Sequence, residues 1–299
     1  MSFLDSFISA SLPFVPKAIV GLIASRYIAG ETLEDAIRTV KELNAAGFKT
    51  TIDVLGEFVD TREEALKHIE YYHEVLEAIE REKLDSGVSV KPTAIGLSVD
   101  RDFALDNITS ILENASSRNV FMRIDMEDSP YTENTIWLYR QLRNGKKLGV
   151  VVQSYLRRTE QDVRDLIKAG ESNFRLCKGI YVEPEKIAFK GREEVRQNFL
   201  KVLRIMLETK TYIGIATHDE YLVDESEKLI KELNVPPTAY EFQMLLGVRP
   251  DLRNQIKARG HKMRIYVPFG KSWYGYSTRR LKENPAIAGY VFKSLFRKL

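Results

Sequence analysis

Cysteine is almost missing from this chain of 299 residues: Cys177 stands alone, so no intrachain disulfide and no cysteine-rich metal site can be assembled. A single thiol fits a reducing compartment. Histidine is scarce too, with four residues and no HExxH spacing, so no metal centre is expected. Long apolar runs are lacking. The longest clean stretch, Ala18 to Ser25, lies between Lys17 and Arg26, far short of the roughly 20 residues that span a bilayer. The start lacks the early basic residues of a secretion signal and carries Asp5. A soluble, cytoplasmic protein is expected. Neither sign of charge dominates, since 45 Lys and Arg are interleaved with 42 Asp and Glu. A nucleic-acid binder would gather its cations on one face, so nucleic acid is not an expected partner. The nucleophile elbow GxSxG does not occur either.

What is present is alternation. Short β-branched runs fall at Lys49–Leu55, Val88–Ile95, Val120–Met126, Val150–Tyr155, Phe174–Ile180, Tyr212–Thr217, Tyr240–Leu245 and Lys262–Pro268. Their nearly continuous apolar character suits parallel strands covered on both faces. Amphipathic stretches lie between them. One begins at Thr61, with Glu64 at capping-box spacing and Leu66, Ile69, Leu76 and Ile79 recurring on one face. Others run near Ala104–Ser117, Thr132–Leu142, Glu160–Lys168, Glu193–Leu207, Tyr221–Leu233 and Pro250–Ala258, with Gly170 and Gly260 at C-cap positions. Strand then helix, about eight times over, predicts an α/β fold, a (β/α)8 TIM-type barrel. A doubly wound open sheet is the alternative, but the position for its GxGxxG fingerprint reads Val54-Leu55-Gly56-Glu57-Phe58. Residues 1–47 read as a helical extension packed on the barrel, with Thr32 a cap for Leu33–Ala45, and 48–299 as the catalytic barrel of one domain.

In a barrel of this kind the chemistry sits at the C-terminal strand ends. Those ends supply Asp53 and Glu57, Lys91, Asp125 and Glu127, Gln153 and Tyr155, Arg175 and Lys178, Thr217 and His218, Glu241 and Gln243, and Tyr266. Polar groups in apolar strands need partners. Arg175 and Lys178, followed by Gly179, suit a phosphate or an electron-rich ring; equally, they read as interior cations neutralised by Asp125 and Glu241. Cys177 reads as a buried, inert thiol. Beyond the last strand, Tyr276, Arg279, Arg280 and Glu283 share one helix face. Adjacent arginines can grip both oxygens of one carboxylate, although the same pattern serves as a solvated helix face. His68 and His73 fall on an outer helix and His261 at the barrel bottom; all three are expected at the surface, leaving His218 as the histidine at a catalytic strand end.

An ordered set of segments resembles the proline dehydrogenase family. It comprises Thr51 to Glu57, Val90-Lys91-Pro92-Thr93, Arg123-Ile124-Asp125-Met126-Glu127, Val152-Gln153-Ser154-Tyr155 and Arg175 to Tyr181. It continues through Ala216-Thr217-His218, Tyr240-Glu241-Phe242-Gln243, Arg264 to Pro268 and Tyr276 to Glu283, spanning roughly residues 48–285. The resemblance implies FAD as cofactor, L-proline as substrate and a helix closing over the active site at the C-terminal end. It implies that Arg279, Arg280 and Lys91 clamp the proline carboxylate, and that Tyr266 and Tyr181 wall the pocket. Asp125 would hold the cationic cluster in register. Met126, Gln153, Arg175, Lys178, Gly179, Ile180, Thr217 and His218 would contact the cofactor, Arg175 near its pyrophosphate, with Lys190 and Arg192 toward its ADP half. Ile180, where the family commonly has a smaller residue, would narrow the pocket. Asp125 and Arg175 are the residues expected to act in catalysis. A quinone would take the electrons, and a pyrroline-5-carboxylate dehydrogenase would be a partner. The cationic tail Tyr290–Leu299 suits either docking on the barrel or peripheral contact with the inner face of a membrane. Two other readings remain open on residues alone. One is a lyase forming a Schiff base on Lys178 or Lys91; the other is a non-enzymatic barrel scaffold or membrane-peripheral binding protein.

Overall fold

The computed structural model describes residues 17–142 and 147–283, the side chains of 18, 19, 22, 23 and 279–283 excepted. The tail Tyr290–Leu299 therefore lies outside the described residues. Strands β1 (Lys49–Val54), β2 (Ser86–Val90), β3 (Met122–Ile124), β4 (Leu148–Gln153), β5 (Asn173–Cys177), β6 (Tyr212–Ala216), β7 (Tyr240–Leu245) and β8 (Met263–Phe269) close in sequence order into one barrel. All pairings are parallel, and β1 shuts the ring against β8 with Ile52 opposite Val267. Parallel neighbours need a crossover, and helices provide it. They are α3 (Arg62–Arg81), α4 (Arg101–Ser117), α5 (Ser129–Leu142), α6 (Thr159–Lys168), α7 (Arg192–Glu208), α8 (Glu220–Glu232) and α9 (Pro250–Ala258). Two further helices, α1 (Lys17–Ala24) and α2 (Leu33–Ala45), precede the barrel, and α10 (Trp273–Glu283) follows it.

Alternation within the strands sorts residues into two shells. Met263, Ile265 and Val267 of β8 join the apolar layer beneath the helices, as do Phe174 and Leu176 of β5. The residues between them, Arg264, Tyr266 and Arg175, enter polar networks instead. The barrel thus carries its hydrophobic core outside the sheet and its charge within. Helix starts are chemically marked: Thr61 accepts from the Glu64 amide, Asp100 from that of Phe103, and Thr32 forms a capping box with Asp35. Helix α2 buries Ala36, Val40 and Leu43 in the main core, while Val20 and Ala24 of α1 pack with Leu55, Leu245 and Tyr276.

Several expected elements shift. Of the run Val88–Ile95 only Val88 to Val90 is strand, the end of β2, which starts earlier at Ser86, and Pro92–Ile95 forms a 3-10 turn. Pro92 has no amide hydrogen to offer a ladder, and the Thr93 amide donates to Glu127 Oε2 at 2.8 Å. The run Val120–Met126 contracts to Met122–Ile124. Phe174–Ile180 ends at Cys177, because Gly179 takes φ of 100°, which no strand accommodates. Leu66 does not belong to the buried face of α3. It is 48% exposed, and Ala65, Tyr72 and Val75 pack inward with Ile69, Leu76 and Ile79.

Candidate active site

Asp125, the first residue past β3, organises the C-terminal end of the barrel. Its Oδ1 accepts from Ser89 Oγ at 2.7 Å and from Arg175 Nη1 at 2.9 Å, and its Oδ2 accepts from the Tyr266 hydroxyl at 2.7 Å. Lys91 Nζ stands 3.7 Å from the same Oδ2. These groups come from β2, β5, β8 and the residue after β2, so barrel closure alone assembles them. Burial would raise the Asp125 pKa, but Arg175, Lys91 and the two hydroxyl donors outweigh it and hold the carboxyl below the usual range. Lys91 donates to Asp53 and, at 3.2 Å, to the Tyr266 oxygen. Burial disfavours its charge, yet Asp53, Asp125 and Glu57 together raise it, so it stays an ammonium. Asp53, fully buried, is pushed up to about 6 by burial against the pull of Lys91. Arg175 also donates from Nε to Gln243 Oε1 at 2.6 Å and lies over the Tyr266 ring.

Above this cluster opens a cavity of about 590 Å³, within the size range of small-molecule and cofactor sites. Lys91, Asp125, Met126, Gln153, Arg175 and Tyr266 line its barrel side. Lys178, Gly179, Ile180 and Tyr181 line it from the segment after β5, and Thr217 and His218 from the end of β6. The structure therefore brings the sequence-predicted site residues together around one space, with Tyr276 of α10 at its edge. The side chains of Arg279 and Arg280 lie outside the described residues, although their helix does not. Gln153 is 2% exposed; its Nε2 donates to the Met126 carbonyl at 3.3 Å, and its Oε1 has no hydrogen-bond partner among the described residues. Gly179 has no room for a side chain: a Cβ there would stand 2.1 Å from Tyr155 Cδ1.

A second cationic group gathers at Asp219. Arg196 donates to both its oxygens at 2.7 and 3.0 Å, with Lys178 at 3.4 Å and Arg192 at 3.7 Å. With Glu193 3.7 Å from Arg196, three cations face two carboxylates and leave one positive charge beside the cavity. Burial would raise the Asp219 pKa, but Arg196, Lys178 and Arg192 hold it down. The Thr217 hydroxyl accepts from the Asp219 amide at 3.1 Å, and His218 Nε2 accepts from the Leu245 amide at 2.9 Å, which places the neutral ring's proton on Nδ1. Lys190 turns away, donating to the Glu183 carbonyl.

Some residues fall elsewhere than the sequence suggested. Glu241 does not neutralise Arg175 or Lys178; it is paired with Arg264 at 2.5 Å, toward the N-terminal strand ends. Arg175 points into the barrel at Asp125 and Gln243, whereas Lys178 lies past the end of β5 at Cys177 and reaches Asp219. The three outlying histidines are not surface residues but half-buried. His68 packs on Gly56, His73 meets Ser110 and Asn114, and His261 meets Tyr240 and Glu227. Sequence reasoning missed Ser89 and Asp219 as members of the site, and read Tyr276 only as part of the helix face that carries Arg279 and Arg280. A readable signal existed for Asp219 alone, which follows Thr217-His218 at the N-cap position of a helix.

The family model described as "Proline dehydrogenase" matches residues 36–292. Over 276 residues the chain is 37% identical to Proline dehydrogenase 1 of Bacillus subtilis (strain 168), covering 92% of this chain and 91% of that protein. It is 32% identical over 281 residues to Proline dehydrogenase of Deinococcus radiodurans, covering 92% and 90%. Among solved structures it is similar to proline utilization A (PutA) from Bdellovibrio bacteriovorus inactivated by N-propargylglycine. That likeness has a TM-score of 0.82 at 26% identity, over 88% of this chain and 32% of that one.

Proposed function

The chain belongs to the proline dehydrogenase family, and on that premise we propose that it oxidises L-proline to 1-pyrroline-5-carboxylate on bound FAD, the first step of proline degradation. The observation that carries the cofactor is Gln153, a residue lining the same cavity as the Asp125 cluster, whose buried Oε1 has no partner among the described residues. A buried acceptor left unmet is costly, and the ring N–H of a flavin answers it. Gly179 leaves the backbone bare where the cofactor would run, and the positive surplus at Asp219 suits its phosphates.

When bound, FAD would supply, at N5, the acceptor for the hydride that leaves proline C5, with Gln153, Gly179, Thr217 and His218 placed to hold it. The chain's own residues do the rest. Arg279, Arg280 and Lys91 bind the carboxylate, and Tyr266 and Tyr181 confine the ring, which turns the encounter into an oriented one. Tyr266 is fixed for that task by its bond to Asp125. The Lys91 and Arg175 charges favour loss of the proline ammonium proton, leaving the neutral nitrogen whose lone pair drives C5 oxidation. Ile180 narrows the pocket. The electrons leave to a quinone, for which peripheral contact with the inner face of the membrane is the natural setting, and the product passes to a pyrroline-5-carboxylate dehydrogenase. No described helix is long and apolar enough to cross a membrane.

A Schiff-base lyase needs a neutral amine, and Lys91, facing Asp53 and Asp125, is held charged. The test is the visible spectrum of the purified protein, before and after anaerobic addition of L-proline. Oxidised-flavin bands that bleach with proline support the reading. A protein that takes up no FAD, and forms a borohydride-trapped lysine adduct instead, removes it.

A further inference from the structure

Glu183 is a buried acid that the reaction derived above does not use. It lies in the segment between β5 and α7, just past the cavity residues Gly179, Ile180 and Tyr181. Its neighbour Val182 is 84% exposed while Glu183 is 4% exposed, so the chain turns an acid inward and leaves an apolar side chain in water. That inverts the usual preference, and bonds at the buried end must sustain it. Glu183 Oε1 accepts from the Ser129 amide and Oε2 from the Ser129 hydroxyl, both at 2.6 Å. Resting on the reading of the preceding subsection, we propose that Glu183 is a positioning residue. By tying the segment after β5 to the start of α5, it fixes Gly179 to Tyr181 against the cofactor and the proline ring.

The tie serves the segment rather than the helix. Helix α5 has an acid of its own at its start: Asp128 immediately precedes Ser129, yet Asp128 Oδ1 is buried with no hydrogen-bond partner among the described residues. A helix with a local acid does not need a carboxylate from 54 positions away to complement its N-terminus. The segment, in contrast, does need an anchor. Gly179 holds φ of 100°, and a glycine brings freedom rather than stiffness, so the position of Tyr181 must be set from both sides. Before it, the Tyr155 amide donates to the Lys178 carbonyl at 2.9 Å. After it comes Glu183, whose own carbonyl accepts from Lys190.

Where the tie runs gives it a role in the site. Strands β3, β4 and β5 are consecutive in the barrel. The Arg157 amide donates to the Ile187 carbonyl and Arg157 Nε to the Glu185 carbonyl, each at 2.9 Å, which fastens the segment to the chain after β4. Glu183 carries the fastening on to the chain after β3, and so joins the two strand ends that flank Gln153. Met126 on one side, Gln153 in the middle and Gly179 to Tyr181 on the other line one cavity. A wall of that cavity can orient a small ring only if the wall itself is held.

Glu183→Ala deletes both bonds. KM for L-proline should rise about tenfold. The apoprotein should bind FAD about tenfold more weakly in a fluorescence titration, a readout independent of turnover. Glu183→Gln keeps an oxygen for the Ser129 amide and gains an amide that can donate to the Ser129 hydroxyl oxygen, so both values should return close to wild type. Ser129→Ala removes one bond of the two and should shift both values less, in the same direction. Combined with Glu183→Ala it should add almost nothing, and it carries the test if Glu183→Ala does not fold. A lowered urea midpoint in Glu183→Ala, with KM and FAD affinity both at wild-type values, would make Glu183 a purely structural residue and overturns the proposal. So does a Gln variant as impaired as the Ala variant, since charge and not anchorage would then be what matters. A wild-type protein that binds FAD but is not reduced by L-proline would instead strike the functional reading, and the FAD titration of the variants would still judge the anchor.

Discussion

The Tyr266 hydroxyl donates to Asp125 Oδ2 at 2.7 Å, joining residues 141 positions apart in the chain across the mouth of the barrel. Through this bond a pocket wall and the carboxylate that neutralises Lys91 and Arg175 are set by one another. Tyr266→Phe keeps the ring and deletes the bond. A hydrogen bond to a charged group contributes about 1.5–3 kcal/mol, so urea unfolding should show a loss of that size. Asp125 is left with fewer donors and a less fixed position, and kcat/KM for proline should fall about tenfold. An unchanged kcat/KM would mean that Tyr266 is held by packing alone.

Glu127 gives the site a pH signature. Burial, opposed by the two donors of Thr93 and reinforced by Glu57, pushes its pKa up to about 8. Its folded value thus exceeds its unfolded value of about 4.3, so the folded protein holds a proton that the unfolded chain gives up in that interval. The stabilisation is complete below the unfolded value and is lost as pH rises through the window toward about 8. Glu127→Gln cannot titrate. Across that interval its stability relative to wild type should climb by about 1 kcal/mol per pH unit, read from urea midpoints at several pH values. A constant difference between the two proteins would sink the assignment.

Glu241 and Arg264 form the interior pair at the opposite end of the strands, with Arg264 also donating to the Thr50 carbonyl at 2.7 Å. Glu241→Leu strands Arg264 and removes the favourable charge near Arg123, whose pKa burial already lowers to about 9. Breaking a buried pair on one side costs about 3–5 kcal/mol. Thermal unfolding should show that loss, while the protein that remains folded keeps its KM for proline.

Substrate and cofactor contacts should separate cleanly. Arg280→Ala should raise KM for proline steeply with FAD still bound, and an unchanged KM would remove Arg280 from the carboxylate clamp. Gln153→Leu should do the reverse. It removes the unmet acceptor at nearly constant volume, so the purified protein should carry less flavin, measured as the ratio of visible to ultraviolet absorbance, and regain it at high FAD.

Much of this arrangement was legible because its physics is local. Parallel strands covered on both faces must be apolar throughout, so Val150–Tyr155 and Tyr240–Leu245 announce themselves; β7 has those bounds, and β4 runs from Leu148 to Gln153, two residues earlier. Strand ends were less legible, since what ends them is not local. The Thr93 amide leaves the β2 ladder for a carboxylate 34 residues away. Outer-helix histidines read as surface because α3 alone is amphipathic; only the loop folding over it, with Gly56 against the ring, buries His68.

The sequence by itself determined the alternating order of elements, hence the barrel, and also most of the polar residues at its C-terminal rim, Glu241 excepted. Backbone periodicity and the need to cover parallel strands leave little choice in either. Tertiary structure alone decided the pairing of charges. Asp125 could have met any cation on the rim; closure of β1 against β8 gave it Arg175, Lys91 and Tyr266, and left Glu241 to Arg264. Residue type sets what a charge needs once it is buried, and the pleat and register of distant strands settle which partner is within reach.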